Sequence, residues 1–174
     1  SNSERDRAKS FVSSMGDKIK IGINIEGSFP EKNIQKKELE EICRGLYSHC
    51  RDIVIVILAS PNNISNKKKM ISELGLDFVI PSYTTETIID AAALVEQLDL
   101  IITPDTSIVH IASSFDKPVV SIHENNKDSF RLWSPSSTLS KTIFAKSSYG
   151  LFDYSVNDIV KSAADILKNR ELDI

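Results

Sequence analysis

Leu98-Asp99-Leu100-Ile101-Ile102-Thr103-Pro104-Asp105-Thr106-Ser107-Ile108-Val109-His110 is the stretch that decides the fold. Leu98 to Thr103 is mostly apolar and of strand length, the pattern of a strand covered on both faces. At Pro104 the pattern changes. An acid and two hydroxyl residues open a helix predicted over Thr106 to Phe115, with His110 in its first turns. Another apolar strand follows, Pro118 to Ile122. Strand, helix, strand at this spacing is a crossover unit, and crossovers join parallel strands.

The same alternation extends in both directions. Upstream, Ile19-Lys20-Ile21-Gly22-Ile23-Asn24-Ile25 has the period of two that marks a strand. The loop Glu26-Gly27-Ser28-Phe29-Pro30 follows, punctuated by Gly and Pro. From Asn33 to Cys50, Ile34, Leu39, Ile42, Cys43, Leu46 and Cys50 recur at helical steps on one side. Asp52 to Ala59 is a continuous buried strand, broken by Ser60-Pro61-Asn62-Asn63. A helix over Ile64 to Leu74 should stop at Gly75, which tolerates positive φ. Leu76 to Ile80 is a short strand ending at Pro81, and Thr84 is the expected cap of the next helix. Downstream, 123–141 reads as polar and irregular, Thr142 to Lys146 as a last short strand, and Ser155 as the cap of a closing helix. About five rounds of strand and helix make an α/β fold, a doubly wound parallel sheet with helices on both faces. Right-handed crossovers put the loops 26–32, 60–63, 81–84, 104–107 and 123–128 on one edge, where ligands bind in such sheets.

Composition narrows the function classes. The chain has 174 residues, about one domain, with 21 basic and 24 acidic side chains and a net charge of −3. That balance lacks the basic excess of a nucleic-acid binder. The longest apolar run, Ile53 to Ala59, is too short for a transmembrane helix. Cys43 and Cys50 share the apolar helix stripe and read as buried structural thiols in a reducing compartment. Only His49 stands near them, so no metal site is expected. The chain opens Ser1-Asn2-Ser3 without a methionine, and residues 4–17 read as a short helix or a linker.

Two loops carry the chemistry. Amides at a helix start bind phosphate, and Thr106 and Ser107 add hydroxyl donors, so Asp105 to His110 could hold an anion. The same residues could also do no more than cap the helix. A Ser107/His110 nucleophile lacks the Gly-x-Ser-x-Gly elbow. The Gly27-Ser28 loop resembles a nucleotide turn, yet neither Gly-x-Gly-x-x-Gly nor a P-loop is present, which argues against nicotinamide and P-loop chemistry. His123-Glu124 reads as a solvated loop, Lys67-Lys68-Lys69 as an exposed helix face, and Trp133 as a packing anchor. A phosphoacceptor role for Asp105 lacks the acidic cluster that a Mg²⁺ site needs.

The stretch from Asp99 through Asp105-Thr106-Ser107-Ile108-Val109-His110-Ile111-Ala112 to Lys117-Pro118-Val119-Val120 resembles the signature of glycosyltransferase family 9, the heptosyltransferases of lipopolysaccharide core synthesis. The resemblance implies one half of a two-domain GT-B enzyme whose halves are Rossmann-like. Residues 18–174 would be the C-terminal, donor-binding domain, and residues 1–17 a cloning scar (Ser1-Asn2) plus interdomain linker or helix. By resemblance, Asp105, Thr106, Ser107 and His110 would lie against the donor's diphosphate and sugar. Gly27, Ser28 and Lys32 would occupy the first loop, and Thr84 would lie near the base. No cofactor is implied. The implied partners are an ADP-heptose-like nucleotide sugar and, through an absent N-terminal domain, a lipopolysaccharide core acceptor. Nucleic acid is not expected, membrane contact is peripheral at most, and the location is cytoplasmic, the inner face of the inner membrane included. Three departures from the family pattern stand out: Ser107 for a frequent Gly, His123-Glu124-Asn125 for a frequent Gly-Pro, and Asn62-Asn63 where an acid often reaches the ribose. They leave room for a second reading, a non-catalytic nucleotide- or anion-binding α/β module. On the first reading the isolated chain would bind its donor weakly and transfer nothing, since the general base belongs to the other half.

Overall fold

The computed structural model describes residues 2–58 and 60–171. Ser1 of the expected scar and Ala59 of the expected second strand lie outside them. Six parallel strands form one sheet in the order β3-β2-β1-β4-β5-β6. They are β1 (Ile19–Asn24), β2 (Ile53–Leu58), β3 (Val79–Pro81), β4 (Leu100–Pro104), β5 (Val119–His123) and β6 (Ser140–Phe144). The helices are α1 (Asn2–Ser13), α2 (Lys36–His49), α3 (Ile64–Leu74), α4 (Ile88–Glu96), α5 (Ser107–Ser114), α6 (Lys127–Trp133) and α7 (Val156–Glu171).

β2 reads Ile-Val-Ile-Val-Ile-Leu, and all six residues are buried. Such a strand needs cover on both faces, and two cores supply it. Ile53, Ile55 and Ile57 point to the face of α2, α3 and α7, with Leu39, Ile42, Ile71, Ile159 and Ala163. Val56 and Leu58 point the other way, to Leu94, Val95 and Ala112 of α4 and α5. Alternate side chains of one strand therefore anchor two layers of helix. Cys43 sits fully buried in the first layer, and burial pushes its thiol up to about 12.

The sequence-based reading of the alternation holds, with local corrections. The helix expected from Asn33 starts at Lys36, after a 3-10 turn over Pro30–Lys32. Gly75 does end α3, in the left-handed conformation at φ 62°. Thr84 does not cap α4. Thr87 does, its hydroxyl accepting from Asp90 N while Asp90 Oδ2 accepts from Thr87 N at 3.0 Å. Only Thr87 has an acid three residues on, the spacing of a reciprocal cap. The region read as irregular contains α6, whose start is capped by Asn126 accepting from Ser129 N at 3.1 Å. Seven residues are too few to show helical periodicity. Residues 2–13 are helical and dock on α4, with Phe11 edge-on to Tyr83 at 5.3 Å and Arg5 paired with Glu96 at 2.9 Å.

The strand order reverses between β1 and β4, which pair directly. Both crossovers leave that point in opposite directions, so a crevice opens at the carboxyl ends of these two strands.

Candidate functional site

A cleft of about 440 Å³ fills this crevice. That lies within the usual size of small-ligand sites, about 300–1,000 Å³. Leu58, Pro61, Ala91, Leu94 and Ile108 make an apolar wall. Gly27 and Ser28 come from the first loop, Thr85, Glu86 and Thr87 from the third, and Thr106 and Ser107 from the start of α5.

The start of α5 is held by a buried network. Asn24, the last residue of β1, donates through Nδ2 to Thr106 Oγ1 at 3.2 Å, to Thr103 Oγ1 at 3.1 Å and to the Glu26 carbonyl at 2.9 Å. Thr106 is the N-cap of α5 and accepts from Ile108 N at 3.3 Å. Capping and ligand approach can share these residues, because Thr106, Ser107 and Ile108 all line the cleft. Gly27 is required by close approach: a Cβ there would lie 2.3 Å from Lys32 Cβ and 2.7 Å from the Lys32 carbonyl. Gly27 N donates to Asn33 Oδ1 at 2.8 Å, which closes the loop on itself.

The other expected residues lie beside this cleft. Asp105 is half-buried and faces His123, with Nδ1 to Oδ2 at 3.7 Å. His110 is exposed, its ring edge against Trp133 at 5.7 Å. Lys32 is paired with Glu124 at 2.9 Å and lies over the Phe29 ring at 4.8 Å. Thr84 is half-buried next to the cleft-lining Thr85. Gly27, Ser28, Thr106 and Ser107 are thus together, and Lys32, Asp105 and His110 gather on the β4–β5 flank.

Three of the smaller sequence readings are overturned. His123-Glu124 is no solvated loop: His123 is buried against Phe130 and Phe144, and Glu124 also accepts from Gly150 N at 2.6 Å. Burial lowers the His123 pKa below its ordinary value, although the Asp105 charge opposes this. Trp133 is 53% exposed rather than packed away. Lys67 is buried, with Nζ on Glu26 Oε2 at 2.8 Å and on the Leu58 carbonyl at 2.9 Å. The signal was present in the helical stripe: Lys67, Ile71 and Leu74 are the buried residues of α3, at the spacing of one face.

Glu26 joins the first two loops. Its carboxylate accepts from Lys67, from Ser60 N and Oγ at 3.3 and 3.2 Å, and from Asn63 Nδ2 at 2.7 Å. Burial alone would raise its pKa, but these donors and the Lys67 charge hold it below the ordinary value. Ser82 is a second residue that sequence reasoning missed. It lines the cleft, is buried, and has no hydrogen-bond partner for its hydroxyl among the described residues.

Among the described residues no group of His, Cys, Asp and Glu is arranged to hold a metal ion, and no helix is long and apolar enough to cross a membrane. Residues 1–148 match the model of glycosyltransferase family 9 (heptosyltransferase). The fold is similar to a glycosyl transferase family 9 structure from Veillonella parvula, with a TM-score of 0.80 and 21% identity over 96% of this chain and 52% of that one. It is also similar to E. coli ADP-heptose lipopolysaccharide heptosyltransferase II, at 0.77 and 17% over 98% and 53%. E. coli heptosyltransferase WaaC with ADP follows at 0.71 and 14%, over 91% and 48%. The chain therefore spans about half the length of these solved structures. No curated protein matches its sequence significantly.

Proposed function

The chain belongs to glycosyltransferase family 9, and from that premise we propose that it is the donor-binding half of an inverting glycosyltransferase. The donor is an ADP-heptose-like nucleotide sugar, and the acceptor is lipopolysaccharide core presented by the other half of the enzyme. The observation that carries this reading is the cleft at the strand-order reversal. It combines an apolar wall for a base with the start of α5 and the Gly27-Ser28 turn for phosphates.

The chemistry asks for little more from this half. An acceptor hydroxyl attacks the anomeric carbon, and the bond from that carbon to the diphosphate oxygen breaks. The diphosphate leaves with the electron pair, while a base on the other half takes the hydroxyl proton. The leaving charge needs preorganised donors, and the α5 amides with the Thr106 and Ser107 hydroxyls can supply them. Asn24 keeps the Thr106 hydroxyl oriented. The orphaned Ser82 hydroxyl suits a polar edge of the base, since an unmet buried donor costs about 1–3 kcal/mol. The E. coli structures whose names carry ADP and ADP-heptose agree with this class of donor.

Calorimetry of this chain with ADP, ADP-heptose and UDP-sugars tests the assignment. The expected result is binding of the adenine nucleotides and no sugar transfer. Turnover by the isolated chain would refute the division of labour, and absence of any nucleotide binding would refute the donor site.

The second reading, a non-catalytic nucleotide- or anion-binding module, is favoured by one observation. Lys32, the cation nearest the Gly27 loop, is already neutralised by Glu124. Asp105→Ala and His110→Ala, assayed for transfer with the acceptor-binding half present, separate the two. Lost transfer with intact folding supports the enzyme, and unchanged phenotype supports the module.

A further inference from the structure

The cation beside the proposed donor site is occupied by the protein itself. Lys32 Nζ lies 2.9 Å from Glu124 Oε2, and both side chains are only 12% exposed. Among the described residues, the other partner of this ammonium is the face of Phe29. The stem is rooted at the cleft, because Lys32 Cβ touches the space over Gly27, a cleft-lining residue. A lysine stem is flexible and its head is a compact point charge, so the ammonium can turn from Glu124 toward the Gly27-Ser28 loop without moving the backbone.

Glu124 has the matching freedom. A carboxylate accepts about four hydrogen bonds. Besides Lys32, Glu124 takes one from Gly150 N at 2.6 Å, which holds it in place when the lysine leaves. Two further carboxylates, Asp105 and Glu26, stand on the same sheet edge, so Lys32 is the charge that an anionic ligand needs there. Glu26 already has its own cation in Lys67.

We infer that Glu124 competes with the donor's phosphates for Lys32, so that the site admits ligands whose phosphate charge exceeds that of the carboxylate they displace. Diphosphate esters meet this condition, and uncharged nucleosides gain nothing from it. The inference rests on the donor reading but is testable apart from it, because inorganic pyrophosphate probes the cation without a base or sugar.

Calorimetry compares the unaltered chain with Glu124→Gln, which keeps an acceptor for Gly150 N, against ADP, pyrophosphate and adenosine. Glu124→Gln should bind ADP and pyrophosphate about tenfold more tightly, the size of one charge-assisted hydrogen bond released to the ligand. Adenosine affinity should stay the same. The gain should vanish in Lys32→Gln/Glu124→Gln, and Glu31→Gln, which removes a nearby charge without touching Lys32, should leave it absent. In the unaltered chain, pyrophosphate should shift the Lys32 ammonium resonance and leave that of Lys67 in place. Equal or weaker phosphate binding by Glu124→Gln overturns the inference and leaves the donor reading standing. So does a gain that persists without Lys32, or an unmoved Lys32 resonance. Pyrophosphate gain without nucleotide binding supports the inference and ends the donor reading. No binding of either probe ends both.

Discussion

Two ion pairs flank the cleft, built from the same residue types and doing different work. Lys67–Glu26 stands on the β1–β2 side and Lys32–Glu124 on the β5 side. Every acceptor position of Glu26 is used, and Lys67 is only 4% exposed, with a backbone carbonyl as its second partner. Such a pair ties loops together, and its carboxylate has no acceptor position left for a ligand. Glu124 has acceptor capacity to spare, and Lys32 has no backbone partner among the described residues. The contrast teaches that unspent hydrogen-bonding valence, more than charge, separates a staple from an exchangeable contact.

Five measurements can break or sharpen that contrast. The largest effect is expected from Lys67→Met, which strands Glu26 under Ser60 and Asn63. It should cost about 3 kcal/mol in urea unfolding, since removing one partner leaves a shielded charge alone. Adding Glu26→Gln should restore part of it. A cost below that of Lys32→Met would remove the distinction between the pairs.

Gly27→Ala comes next. The new Cβ meets Lys32 backbone as well as side chain, so the loop must shift. A stability loss of about 2 kcal/mol is expected from such overpacking. It should come with weaker ADP binding, and full affinity would detach the Gly27 loop from the site. Lys32→Met should be milder, about 1 kcal/mol, because Glu124 keeps its Gly150 contact. Its main effect should be on phosphate affinity.

The remaining effect is in pH. His123 lies by the second pair, where Lys32 lowers its pKa and Glu124 raises it, after burial and Asp105. Its folded pKa is below 6.5, so the unfolded chain takes up the proton first. Stability should therefore fall as pH drops below 6.5, by at most about 1.4 kcal/mol per pH unit. His123→Gln should flatten the melting temperature between pH 7 and 5. The first pair acts lower down. The Glu26 pKa is depressed from 4.5, so its contribution is full above that value and is lost as pH falls through the folded one. A Glu26→Gln chain that still shows this acid loss would move its origin elsewhere.

Much of this architecture was legible before folding. Ile53 to Leu58 and Leu100 to Pro104 are buried strands because their apolar pattern leaves no wet face. Gly75 ends its helix for the reason glycine usually does. Asp105 to Ser107 open α5 as a strand-to-helix junction should. These readings are local: a few consecutive residues contain the whole physical reason. α6 is not legible because seven residues span under two turns, and the hydroxyls of Thr84, Thr85 and Thr87 offer α4 several caps.

The site divides the same way. Ser28, Thr106 and Ser107 are next to their own helix or turn, so sequence position nearly determines their place. Lys32 and Glu124 are far apart in the chain, as are Asn24 and Thr106, and only the sheet order brings each pair within hydrogen-bonding distance. Lys67 shares the helical stripe of Ile71 and Leu74, but only the packing of α3 shows that its head meets Glu26. By itself, the sequence determined the alternation, the parallel sheet and the loop edge, because periodic burial is encoded residue by residue. Tertiary structure alone decided which cation meets which carboxylate and which of them keeps capacity for a ligand, because those contacts join segments that hydrophobic pattern does not relate.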